Sequence, residues 1–588
     1  MIGPTPAVLT ANADGIYGNV TGANIDESKI TVQYYVDGAS TSASDNNDGS
    51  SKAPFKTITK AVAVALHANK DVNGSKIIVR AGEYREKVSI EGLGQDAERA
   101  PIVLEGEGDV VIKGSVDFSD DWTLNNGVYE KTWPYRYGTS KEIYADYDIT
   151  THEIVRRRDM LYINGKHLLP VLQLSDVKPG YFFVDEKNTK IYMMPFEGVD
   201  VEKALIETAV QQQVFSIRNI KNVVVRDIHF SQTNSTQAGG GIGVSRVDNV
   251  KMENCLIDNA SYFGLTVHGG KNITLEKVKI NSNGGGGLLG TNIDNVLVSN
   301  CETSYNNWRG DIGDFYDWDT GGIKILFAYD IRISGHKSIN NTCPGIWFDS
   351  ECQRITIEDC YVEGNTSTGD NITSGIYIEG NVGPILVDRC TMYRNRRGLN
   401  LASSNDILVR DSYIVDNTDC QIVLYANSGM GRTFKERGKE TNITSYLKDT
   451  VMENVVISTS LPEAGSFFNY DYGDPGAYIA WFSTLKTSEM KYYHPNQEAS
   501  FFNRDVKTLG SFENWKEMTG LDADAEWLSE PYTVTAPADD GEQGGNSKKG
   551  DSQDLIVFIL LGTIILLLVV GIAVVIVMMQ KLVKKKKR

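Results

Sequence analysis

Two short, nearly identical segments hold the residues best suited to chemistry: Gly-Ile-Trp-Phe-Asp at 345–349 and Gly-Ile-Tyr-Ile-Glu at 375–379. Each runs glycine, apolar, aromatic, apolar, acid. Alternate side chains of a strand face opposite sides. Ile346 and Phe348 therefore point one way with Ile376 and Ile378, and Trp347, Asp349, Tyr377 and Glu379 point the other. Laid side by side, the copies stack acid on acid and aromatic on aromatic. Strand spacing of about 4.8 Å sets the two carboxyl carbons roughly 5–6 Å apart. Glycosidic hydrolysis with retention uses carboxylates about 5–5.5 Å apart, and inversion about 6.5–9.5 Å. Two like charges this close do not both ionise freely, so one acid should keep its proton. With Lys324 one repeat earlier, Asp349 is expected to be the ionised nucleophile and Glu379 the protonated acid. The same spacing also describes strand-end acids that only cap turns.

Such stacking demands a chain that returns to the same place at a regular interval. The sequence has that interval. Matching apolar positions fall at Val223, Val250, Ile273, Val296, Ile331, Ile355, Ile385 and Ile407, in steps of 27, 23, 23, 35, 24, 30 and 22 residues. A second strand in each repeat begins at Gly264, Gly287, Gly322, Gly345, Gly375 and Gly398. A third register holds Cys255, Val278, Cys301, His336, Cys360 and Cys390, read as an internal ladder of packing residues. Repeats of this length, each one strand-rich turn, predict a solenoid of parallel strands.

Along the second strands the first and third residues after glycine are apolar and face the core, so the second and fourth face outward. The second column reads Thr266, Leu289, Lys324, Trp347, Tyr377, Asn400; the fourth reads His268, Thr291, Leu326, Asp349, Glu379, Ala402. Mixed columns of this kind suit a binding face. Trp347, Tyr377 and Lys324 are expected to line the site with Asn400, and His268, three coils away, to belong to a distant subsite. The 35-residue repeat carries an insertion, Asn306–Gly322, just before these coils. Its Trp308, Phe315, Tyr316 and Trp318 could stack on sugar faces, and Arg309 could bond hydroxyls. The same loop also reads as self-packed, or as a calcium loop from Asp311, Asp314, Asp317 and Asp319. Asp45 and Asp48 present a similar choice between a polar turn and a cation site.

Composition narrows the field. Among 588 residues, 56 glycines and recurrent Asn, Asp and β-branched runs favour short strands joined by tight turns. A net charge of −18 argues against nucleic acid as a partner. Seven cysteines make no disulfide scaffold, and seven scattered histidines with no CxxC or HExxH predict no zinc site. No organic cofactor is implied; calcium is the metal that the aspartate-rich loops could hold in a structural role. Leu555–Met579 is 25 uncharged, mostly aliphatic residues, about 37 Å as a helix at ~1.5 Å per residue, enough to span a bilayer. Lys581 and the run Lys584–Arg588 follow it, so the tail is expected in the cytoplasm and the rest outside. MIGPTPAVLT shows neither a basic n-region nor a long apolar core, so export is inferred from the tail.

The opening Thr31–Gly38 strand, the helix within Asp45–Ala68 and the strands near Lys76–Ile90 and Pro101–Gly114 resemble the capped start of right-handed parallel β-helix proteins. GIWFD followed by IYIEGNVGP (Ile376–Pro384) resembles the strand pair of β-helical glycoside hydrolases, above all the β-xylosidases of family 120. That resemblance implies Asp349 as nucleophile and Glu379 as acid/base. Family 141, with fucosidase and xylanase activities, is similar in architecture and in the INGK and GYFFVDEKNTKIY segments. The resulting expectation is an all-β, pectate-lyase-like solenoid in a cell-surface glycoside hydrolase acting on an oligo- or polysaccharide. Its parts are an N-terminal extension (1–30), a catalytic β-helix (31–535), a linker (536–554), a transmembrane helix (555–579) and a basic tail (580–588). Within the β-helix lie an inserted antiparallel region (115–205), core coils (221–425) and a C-terminal cap (426–535). A polysaccharide lyase or uronate epimerase on the same fold, and a non-catalytic carbohydrate-binding protein, are the rival readings.

Overall fold

The protein is described by a computed structural model covering residues 20–68, 73–92, 99–316, 318–369, 372–427, 432–435, 441–472, 481–501 and 510–537. Met1–Thr535 forms one compact unit and Ala536–Arg588 a second. The expected spanning helix (555–579), most of the linker and the basic tail lie outside the described residues, as does Asp317. Among the described residues no helix is long and apolar enough to cross a membrane.

Three ladders of short parallel strands run through the first unit, one strand of each per coil. In the first ladder, Val223, Val250, Ile273, Val296, Ile331, Ile355, Ile385 and Ile407 stand in one unbroken register. In the second, Leu265, Leu288, Ile323, Ile346, Ile376, Leu399 and Ile422 do the same. In the third corner, Cys255, Val278, Cys301, His336, Cys360 and Cys390 each lend a carbonyl to an N–H of the following coil. All are buried, and all seven cysteines are free thiols. Burial pushes the His336 imidazole down to about 3, so it packs in that column as a neutral group.

The turns follow from residue type. The corner before the third strand takes one left-handed residue per coil; Asp227, Asn254, Asn300, Asp359, Asp411 and Asn454 fill it with φ between 49° and 59°, and Lys277, Gly335 and Arg389 fill it in other coils. Asn and Asp adopt this conformation at lower cost than other side chains because they bond locally. A second asparagine series is wholly internal. Asn283, Asn306, Asn341, Asn365, Asn395 and Asn417 are at most 1% exposed, and each donates its side-chain amide to the side-chain oxygen of the next. Gln421 accepts from Asn417 and ends the row. These bonds hold successive coils at one spacing.

Both ends of the stack are covered. The helix Ile58–Ala68 buries Ile58, Ala61, Val62 and Ala65 against the opening strands. Asp45 supports its start by accepting the N–H groups of Lys56 and Thr57, and Asp48 accepts from Ser50. Between the strands Ile102–Lys113 and Phe215–Arg218 the chain leaves the solenoid for two separate sheets of four and five strands, mostly antiparallel. The five-stranded sheet pairs Tyr181–Asp185 antiparallel with Lys190–Met194.

The coils do not stop at Tyr425. Asn405–Arg410 pairs with Lys448–Glu453, Tyr413–Val415 with Val456–Ser458, and Cys420–Asn427 with Gly465–Tyr472. Part of the stretch expected to be cap is therefore ladder. An insertion before Lys448 hides the repeat, and the apolar column passes to a polar residue, Thr450, opposite Ile407. The indole of Trp481 satisfies that hydroxyl at 3.0 Å. The helix Phe512–Thr519 then closes the end, with Trp515 fully buried and its indole N–H on Asp522.

Candidate active site

Asp349 and Glu379 close the strands Ile346–Asp349 and Ile376–Glu379, and parallel pairing sets them directly opposite each other. The core-facing residues Ile346, Phe348, Ile376 and Ile378 are completely buried, which fixes the register and forces the acids outward. Both strands end in residues that turn the chain left-handed, Ser350 and Glu351 after the first and Gly380 after the second. Asn381 holds the two turns together, accepting from the Cys352 N–H and donating to the Phe348 carbonyl.

Two cations meet this pair. Lys324, in the preceding coil, is 1% exposed and places Nζ 3.0 Å from Asp349 Oδ2. The same ammonium lies 3.0 Å from the centre of the Trp347 ring and donates to the Trp318 carbonyl. Arg432 comes from the other side, ahead of the hairpin formed by Thr433–Lys435 and Asn442–Thr444. Its Nη1 is 2.7 Å from Asp349 Oδ1 and its Nη2 is 2.7 Å from Glu379 Oε1, so one guanidinium spans both acids. It also donates to the Ser350 hydroxyl, which itself donates to Asp349 Oδ1 at 2.7 Å.

The two carboxyls are driven apart in acidity. Burial pushes Asp349 up, but the charges of Lys324 and Arg432 and the Ser350 and Lys324 hydrogen bonds outweigh it, leaving the group below the usual carboxylate range. Burial also raises Glu379, the Asp349 charge raises it further, and the same two cations offset only part of this. Near neutrality Asp349 is the charged member and Glu379 the one that holds a proton more readily.

The aromatic column behaves differently from a simple exposed platform. Trp347 and Tyr377 are in register and stacked, with ring centres 5.0 Å apart at 17°. Each is only 2% exposed, because Ile372, from the extra loop before the second strand, packs on them together with Ala402. Asn400 continues the column beside Tyr377 and is 1% exposed. Trp347 Nε1 and Asn400 Oδ1 are buried and find no hydrogen-bond partner among the described residues. Tyr316 and Thr368 join the two insertions through their hydroxyls at 2.6 Å.

The remaining candidates lie elsewhere. Arg309, expected to reach sugar hydroxyls, is completely buried and donates to the carbonyls of Ser261, Ile154 and Asp159. Burial pushes its guanidinium down to about 9, and it clamps the insertion to the 154–160 segment. Trp308 stacks on His167 at 4.7 Å, and its indole N–H donates to Ser282, which turns it away from the acids. The Trp318 ring packs on Tyr144 and Tyr147, so only its carbonyl reaches the site. His268 shares the acid column three coils back, is exposed, and bonds Thr291. Asp319 accepts from Tyr262 at 3.1 Å. Among the described residues no cluster of three or more His, Cys, Asp or Glu side chains could hold a metal ion.

Arg432 and Ser350 were not foreseen. Ser350 is adjacent to the nucleophile candidate, but nothing in its type announces a contact. Arg432 sits in GMGRTFKERGKE, visible in the sequence only as a break in the repeat.

Overlapping stretches at 191–310, 240–381 and 314–436 match the family described as a right-handed β-helix region, and 41–116 matches one described as a protein of unknown function, DUF1565. No curated protein matches the chain. Together with the ladders, this defines a right-handed parallel β-helix. XylC, solved in complex with xylose, is 16% identical, with 82% of this chain and 85% of that chain covered and a TM-score of 0.58. The A-module of the Azotobacter vinelandii mannuronan C-5 epimerase AlgE4 aligns at 12% identity over 86% of this chain and all of its own, with a TM-score of 0.38. The Eubacterium ramulus GH136 lacto-N-biosidase aligns at 11% over 79% and 68%, with a TM-score of 0.37. At these identities the likeness is one of fold.

Proposed function

We propose that the protein is a retaining glycoside hydrolase, with Asp349 as nucleophile and Glu379 as acid/base. The observation that carries this reading is the pair itself: two carboxyls one strand apart, Asp349 held down by Lys324 and Arg432 against its burial, and Glu379 pushed up by burial and the Asp349 charge. Asp349, kept ionised by Lys324, attacks the anomeric carbon while Glu379 gives its proton to the departing oxygen. Glu379, now charged, takes a proton from water as that water releases the sugar from Asp349. Trp347 Nε1 and Asn400 Oδ1, buried in the column beside the acids and without a hydrogen-bond partner among the described residues, would suit sugar hydroxyls. The likeness to XylC makes xylosides a first class to try. The proposal extends to location: Leu555–Met579 and the basic run after it would hold the catalytic part outside the cell.

A lyase or epimerase reading gains one specific support, the second cation at the pair, since uronate chemistry needs its carboxylate neutralised. The deciding experiment is a screen of the purified protein on aryl glycosides and on plant and mucin glycans, beside Asp349→Asn and Glu379→Gln. Sugar release by the wild type, reduced at least about 100-fold in both variants, with the first-formed anomer retained by NMR, is the expected result. Ultraviolet-absorbing unsaturated products would instead identify a lyase. Glycan binding with no turnover and no effect of either variant would leave a binding protein.

A further inference from the structure

The position of Arg432 raises a difficulty for any substrate. Its guanidinium lies over both carboxyls, and Asp349 has no oxygen to spare: Oδ2 holds Lys324, and Oδ1 accepts from Arg432 and Ser350. A sugar whose anomeric carbon must reach Asp349, and whose glycosidic oxygen must reach Glu379, has to take the guanidinium's place. An arginine gives up two charge-assisted bonds readily only when it gains another anion.

The arginine is built for such an exchange. Its side chain is 42% exposed while Asp349 and Glu379 are 16% and 17% exposed, so it forms the solvent side of the site. It lies flat on Gly380: a Cβ there would meet its Cδ at 2.7 Å and Nη1 at 3.2 Å. Glycine at 380 leaves room for this approach and takes its positive φ of 66° without the strain of a Cβ. Lys324, the other cation, is sealed beneath Trp347 and committed to Asp349. Of the two cations at the pair, Arg432 is therefore the one open to an incoming anion. A planar fork of donors fits a carboxylate better than it fits hydroxyls.

We infer that Arg432 selects an acidic sugar, a uronic acid whose carboxylate draws the guanidinium off the Asp349–Glu379 pair. Among the described residues the charged and titratable groups that face Arg432 are Asp349, Glu379, Tyr377 and Glu351, so Glu351 is the carboxylate outside the pair on which a displaced guanidinium could rest. Arg432 is in this view a specificity residue. The inference rests on the hydrolase reading for its turnover assay, though not for its binding assay.

The test uses the full chain, wild type and Arg432→Ala, with Arg432→Lys keeping the charge without the fork. Turnover is compared on matched aryl glycosides differing in the C5 substituent, xyloside against glucuronide and galactoside against galacturonide. Binding of free glucuronate and galacturonate against glucose and galactose is measured by calorimetry. The expected result is a wild-type preference for the acid form that falls about tenfold or more in Arg432→Ala, with Arg432→Lys between them. Arg432-dependent uronate binding without any hydrolysis would uphold the inference while ending the hydrolase reading. Hydrolysis of neutral glycosides with no acid preference would overturn the inference and leave the hydrolase reading standing. A gain on neutral substrates in Arg432→Ala, matched by a loss in Glu351→Gln, would also overturn it, making Arg432 a latch that rests on Glu351.

Discussion

Replacing Lys324 by methionine tests the electrostatics of the pair most directly. The change keeps length and apolar bulk at a position 1% exposed but removes the charge 3.0 Å from Asp349 Oδ2. At that distance and an effective dielectric near 20, the attraction is about 5 kcal/mol. Arg432 and Ser350 still face Asp349 in the variant, and methionine does not suffer the desolvation that lysine does. A net loss of about 2–3 kcal/mol in stabilising ionised Asp349 is reasonable, equal to about 30- to 150-fold in kcat/KM on the acidic side of the profile, where rate follows the ionised fraction of Asp349. Activity requires Asp349 charged, so the acidic limb of kcat/KM falls as pH drops through its lowered pKa. Lys324 is one cause of that lowering, and its loss moves the acidic limb to higher pH. Activity also requires Glu379 protonated, and Lys324 is among the groups holding Glu379 down, so the basic limb moves up as well. The assay is a pH profile of kcat/KM on an aryl glycoside, with a thermal unfolding scan to show that the variant is folded. A uniform drop with both limbs unmoved would refute the reasoning and reduce Lys324 to a packing residue for Trp347.

Two further outcomes concern the scaffold. Asn341→Ala removes donors to the Thr303 carbonyl, the Ser338 hydroxyl and Asn365 Oδ1, and takes away the acceptor of Asn306, all in a fully buried row. A loss of about 3 kcal/mol or more is expected in urea unfolding, and a loss under about 1 kcal/mol would mean the asparagine row is dispensable. Glu207 is buried and bonded to Gln232, Arg85 and Lys113, and these contacts outweigh the burial that pushes its carboxyl up, holding it below the usual range. Its contribution is present at neutral pH and lost as pH falls through the lowered pKa. Glu207→Gln should therefore destabilise by about 1–3 kcal/mol near pH 7, with the gap to wild type closing in acid. A gap that stays constant with pH would contradict this.

Much of the architecture was legible in the sequence because a solenoid writes its geometry locally. Each coil must bury the same positions against the coil before it, so apolar residues recur at matching places, and Val223 through Ile407 stand in the register their spacing implied. The same periodicity put Asp349 opposite Glu379, since parallel strands with buried alternate residues allow no slip. Where the buried face turned polar, at Thr450, and an insertion preceded it, the signal failed and the last coils were read as cap.

What only the tertiary structure decided are the contacts made by the insertions. No period governs them, and their side chains settle wherever long-range packing offers burial or charge. Arg309, Trp308 and the Trp318 ring went to the inserted 144–167 region, where buried carbonyls and rings accept them. Ile372 covered the Trp347–Tyr377 stack, and Arg432, 53 residues beyond Glu379, closed over both acids. The repeat thus set which acids stand together, and the insertions decided what stands against them. Charge pairing across such distances depends on the folded path of the chain and leaves no mark in local spacing.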